Sequence, residues 1–143
     1  SVAILIELST DAAGGTASAG AFYITAPELT NRYRFLTDGG VVSIADVTSA
    51  DFDTPVTSVV TGISQQSAPF TVIRADGVQY GTSATDPGVT SYGNYPLYIG
   101  ARNQTSLYYN GNLYGLTVRG ALSDAGEIAD AEAITAELTG ITL

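Results

Sequence analysis

The chain has no cysteine, methionine, histidine or tryptophan, and its five basic residues are all arginine. Without cysteine there is no disulfide framework, no thiolate nucleophile and no cysteine-based zinc or iron–sulfur site, and the redox compartment is left unmarked. Without histidine or lysine a serine nucleophile lacks both of its usual bases. No G-x-S-x-G elbow, P-loop or dinucleotide fingerprint occurs either. The net charge is −9. Phosphate backbones need clustered cations, so nucleic acid is excluded as a partner and anionic membrane surfaces are disfavoured. No apolar run approaches the roughly 20 residues that span a bilayer, so no membrane insertion is expected. With no methionine anywhere, and an opening directly into the strand-like run SVAILIEL, the chain is expected to be a fragment or processed piece of a longer protein.

What is present suits an all-β protein. The 143 residues match one domain, long enough to bury a core. The charged share of 13% is about half the usual one, and Thr, Ser, Gly and Ala supply the polarity instead. Val2 to Leu8 is apolar on both faces except at Glu7, which predicts a buried strand. Residues 11–20 form a small-residue loop, and residues 21–25 a second strand. From Asn31 to Thr37, Tyr33 and Phe35 alternate with Arg32 and Arg34, which predicts a half-exposed strand. Asp38-Gly39-Gly40 turns it into a partner at Val41 to Val47. Residues 48–55 are a loop, and Pro55 to Ile63 is strand-like. Residues 70–75 and 78–83 flank Asp76-Gly77, a strong hairpin signal because both central turn residues want positive φ. A long loop over 84–94 precedes strands at Tyr95 to Arg102 and Asn112 to Gly120. From Ser123 onward, Ile128, Ala131, Ile134 and Leu138 fall at helical spacing, with Ser123 or Asp124 as N-cap and Gly140 as the stop. About nine strands and one terminal helix predict a single β-sandwich or jelly-roll domain over residues 1–143.

Candidate chemistry is sparse. Asp51 and Asp53 share a face if extended, as paired carboxylates for acid–base work or weak calcium ligands would require. Pro55 and the polar surroundings favour ordinary solvated loop acids. No cofactor is expected. Six of the nine tyrosines lie between residues 92 and 114, interleaved with asparagines. Flat amphipathic rings beside side-chain amides are what glycan recognition uses. Pleating assigns Tyr95, Leu97 and Ile99 to one inward row and Tyr114, Leu116 and Val118 to another. That leaves Tyr92, Asn94, Asn103, Tyr108, Tyr109 and Asn110 facing solvent as the candidate glycan or partner loop. Asn103-Gln104-Thr105 is a glycosylation sequon that the composition does nothing to support.

The run YPLYIGAR, a polar turn, and then YNGNLYGLTVRGALSDAGEIADAEAITAELTG carries a family pattern. It resembles the C-terminal end of concanavalin A-like, laminin-G-like jelly-roll domains, in the version found at the ends of phage and prophage structural proteins. Ile99, Gly100 and Arg102 match an "IG-R" strand. Asn110, Gly111, Leu113 and Tyr114 match an "N-G-x-[LI]-y" strand. Leu122, Ser123, Glu127 and Ile128 match the opening of a terminal helix, with one extra residue before the Glu. Arg74 to Val78 resembles the family's "N-G-V" hairpin, with Asp76 in place of Asn. The match covers residues 70–143 and is vague before them. Full domains of that type are longer at the N-terminus, so an unpaired sheet edge is expected here.

The resemblance implies a concanavalin A-like jelly-roll sandwich with one short C-terminal helix. The family is functionally broad, and fold does not settle function. Its glucanase members carry an E-x-D-x-x-E strand that nothing here matches, and its metal ligands have no clear counterparts. The expected function is therefore a non-enzymatic assembly module of a virion surface, tail or fibre. Its partners would be other protein subunits, in a homo-oligomer or larger assembly. The alternative is a lectin-like module for cell-surface glycan.

Overall fold

The computed structural model describes residues 3–10, 19–27, 33–66, 68–103 and 106–143. In chain order these form β1 (Ile4–Leu8), β2 (Ala21–Thr25), β3 (Tyr33–Asp38), β4 (Val42–Val47), β5 (Val60–Gln65), β6 (Phe70–Ala75), β7 (Val78–Ser83), β8 (Leu97–Ile99) and α1 (Ala125–Thr139). The strands build two antiparallel sheets, one ordered β4-β3-β2-β1-β8 and one ordered β5-β6-β7. Most of the small-residue loop, Asn31, Arg32, and Gln104 and Thr105 of the sequon lie outside the described residues.

Period-two alternation sets which side of each strand is inward. The register places Ile6, Ile24, Phe35 and Ala45 side by side across the larger sheet. That row faces the smaller sheet, and Tyr33, Phe35, Ala45, Val47, Phe52, Ile73 and Ala75 form the core between the two. The sheets approach closely at two glycines: a Cβ on Gly62 of β5 would lie 2.7 Å from the Phe35 ring, and one on Gly81 of β7 would run into the Asp46 backbone of β4. The two predicted hairpins form. Asp76 (φ 46°) and Gly77 (φ 78°) both take the positive φ that such a two-residue turn demands.

Four expectations change. First, β3 is not half-exposed. Leu36, on the outer face, is as buried as Tyr33 and Phe35, because Leu107 and Val42 close over it. Second, the strand expected from Pro55 starts only at Val60. Val59 gives its backbone to Asp76 instead: its N–H donates to Asp76 Oδ1 at 2.7 Å, and its carbonyl accepts from the Asp76 N–H at 2.9 Å. Third, the strand expected over Tyr95 to Arg102 is cut to β8. Gly100 (φ 75°) ends it, and the chain turns back through an Arg102–Ser106 bridge.

Fourth, Asn112 to Gly120 forms no strand. Among the described residues its backbone has no ladder partner on either side. The Tyr114, Leu116 and Val118 row is therefore 53%, 43% and 53% exposed, not inward. Helix α1 forms where expected, with a reciprocal Asp124–Glu127 capping box and Gly140 (φ 71°) as its left-handed stop. Its buried residues are Glu132 and Ala136, whereas Ile134 and Leu138 remain exposed, Leu138 beside Gly115. Arg74 on β6 sets that orientation by gripping Glu132, Nε to Oε1 at 2.7 Å.

Candidate functional site

The smaller sheet has three strands and the larger five, so part of the larger sheet's inner face has no strand over it. Leu97 and Ile99 of β8 stand opposite Leu8 and Ile6 of β1 and share their inward face. They nevertheless remain 40% and 55% exposed. The inward orientation expected for this pair is correct, and its burial is not. Uncovered face becomes the floor of a trough.

The trough consists of two adjoining cavities of about 600 and 550 Å³. Both touch Ile6, Ile24, Val60, Gly115, Leu116 and Thr135. One wall is β5, which is hydrogen-bonded to β6 on its other side. The facing wall is the extended segment 113–120, and Ile128, Ala131 and Thr135 of α1 roof it. The lining is mainly apolar, and its charged side chains are already paired. Arg119 meets Glu127 at 2.8 Å, and Glu132 meets Arg74. The Arg119 guanidinium, helped by the Asp124 backbone N–H, holds the Glu127 carboxyl below the usual range. Burial pushes the Tyr33 hydroxyl up at one end of the trough.

The six residues expected to form a solvent-facing loop are divided by the fold. Tyr92 turns inward: its ring meets Phe22 edge-on at 5.7 Å, and its hydroxyl lies 3.2 Å from Thr37 Oγ1. Asn94 is exposed on the 84–96 connection. Asn103 is half-buried at a left-handed turn position, φ 45°. Tyr109 is fixed by its N–H donating to the Gly100 carbonyl at 2.8 Å, and with Asn110 it lines the trough. Tyr108 is 65% exposed beside them. Tyr109 and Asn110 thus line one end of the trough and Tyr92 the other, whereas Tyr108, Asn94 and Asn103 line neither cavity.

The two loop acids do not share an extended face. Asp51 lies in a 3-10 turn (Ala50–Phe52), accepting from Ser49 Oγ at 2.8 Å, and Asp53 caps that turn. Among the described residues no group of three or more Asp, Glu, His or Cys converges. No helix among them is long and apolar enough to cross a membrane. The residue pattern missed the trough's floor, Leu8, Phe22 and Ile24, and its β5 wall. The only available signal was that β1 is apolar on both faces.

Arg102 has structural work. Arg102 pairs with the fully buried Glu7 on the outer face of the larger sheet, Nε to Oε2 at 2.9 Å. Comparison of the chain with protein-family models, with curated proteins and with solved structures found no match.

Proposed function

We propose that the chain is a non-enzymatic jelly-roll module of the concanavalin A-like type, acting through protein–protein contacts as a subunit of a virion or similar particle. One observation carries this reading. Leu113, Tyr114, Leu116, Val118 and Leu122 stand 43% to 57% exposed along one unpaired extended segment. Soluble monomers rarely leave so contiguous an apolar row open, and such rows mark contact surfaces. The motif resemblance over residues 70–143 supplies the particle setting.

The test is the native mass of the purified chain by light scattering across a concentration series. A defined oligomer or polymer supports the assembly reading. A single-chain mass at every concentration overturns self-assembly and moves the weight to the lectin-like alternative. That alternative rests on the exposed ring of Tyr108 beside Asn110. It is tested by titrating a responsive glycan against the Tyr108→Ala and Tyr109→Ala variants, and unchanged binding removes the site.

A further inference from the structure

We infer that the trough seats one extended strand donated by a separate polypeptide, completing the smaller sheet between β5 and segment 113–119. The inference rests on the protein-contact reading above and specifies the partner's chemistry.

Two backbone rows without a ladder partner among the described residues flank one apolar floor. β5 is an edge strand, hydrogen-bonded only to β6 among the described strands. Residues 110–120 take part in no backbone–backbone hydrogen bond among the described residues. A row of unpaired N–H and C=O groups at an open edge is a ready template for another strand. A strand is the occupant that satisfies both rows at once. A small apolar ligand would leave both rows unpaired, and a helix has no free ladder to offer. Addition of a strand to an open sheet edge is a common recognition mode in which main-chain bonds supply affinity.

The walls specify the strand. β5 has six residues, so the donor segment is about six residues, or roughly 20 Å, long. Side chains at alternate positions meet Leu8, Phe22 and Ile24 and must be apolar. Those on the other face meet Ala131 and Thr135 of α1 and must be small. The trough's charged residues are already in ion pairs, so the seated positions carry no charge. A host of net charge −9 favours a donor whose flanks are neutral or basic.

The test is hydrogen exchange on the whole chain, read at the amides of residues 60–65 and 113–119. The probe is an eight-residue peptide of alternating Thr and Val, acetylated and amidated, at saturating concentration. Exchange in both segments should slow by at least about tenfold. The same peptide N-methylated at every amide should give no protection, since it has no N–H left for a ladder on either edge. Absence of protection by the alternating peptide overturns the inference. Equal protection by the N-methylated form also overturns it, by showing apolar adsorption alone. Protection that rises with protein concentration, without peptide, places a second copy in the trough and overturns the separate donor. An oligomer in light scattering with no peptide protection removes the strand seat and leaves the assembly reading standing. A monomer with no protection removes both.

Discussion

Arg102 reaches from the loop after β8 to Glu7 in the middle of β1, Nε to Oε2 at 2.9 Å, and Glu7 is completely buried. Ser9 Oγ donates to the other carboxylate oxygen at 2.7 Å, and the guanidinium carbon lies 5.3 Å from the centre of the Tyr23 ring. The pair ties the 100–109 loop to the outer face of the larger sheet. Removing one partner of a buried pair leaves the other charge uncompensated. Arg102→Ala is expected to lower stability by about 3 kcal/mol in urea denaturation. The double variant Glu7→Leu with Arg102→Leu should recover most of that loss, because no buried charge then remains.

Gly62 is a point of close approach between the two sheets. A methyl group there would lie 2.7 Å from the Phe35 ring, well inside contact distance. Gly62→Ala should cost about 1–3 kcal/mol by overpacking. Adding Phe35→Leu should return part of it by making room. A thermal melt of the single and double variants checks the coupling.

Helix α1 is held by a side-on ion pair as well as by apolar contact. Arg74 bonds both Glu132 oxygens, at 2.7 and 2.9 Å, and Glu132 keeps the Arg74 guanidinium more firmly protonated than usual. Glu132→Ala should therefore loosen the helix before the sheets. Hydrogen exchange over residues 125–139 should quicken by more than about tenfold while β6 keeps its protection. Equal acceleration in both would show that the helix and sheet open together.

Asp76 gives stability a pH dependence of defined sign. Burial pushes its carboxyl above the ordinary Asp value, only partly offset by the hydrogen bond from the Val59 N–H. The folded chain then binds the proton more tightly than the unfolded chain does. That contribution is full below the unfolded pKa and is lost as pH rises through the raised folded one. Asp76→Asn retains an acceptor for Val59 and tolerates the positive φ. The stability of the parent relative to the variant should fall as pH rises above the ordinary Asp value of 3.8. A constant difference above that value would contradict the assignment.

The sequence by itself determined the features that depend on neighbours in the chain. Asp76-Gly77 specified its hairpin because the turn needs two positive φ angles. Asp124, Glu127 and Gly140 specified both ends of α1, because capping satisfies backbone groups within one turn. Alternation at Tyr33 and Phe35 specified their inward face. What only the tertiary structure decided was whether a neighbour stands beside each element. The Tyr114, Leu116 and Val118 row has the periodicity of a strand, yet a strand exists only where a second backbone completes its ladder. Leu97 and Ile99 point inward, yet they are buried only if another strand lies over them. The apolar spacing of α1 marked a helix, yet the Arg74–Glu132 pair selected the face that packs. Tyr92 looked free because its partners Phe22 and Thr37 are distant in sequence. Pattern fixes a side chain's direction along its own element, and long-range pairing decides what, if anything, it meets there.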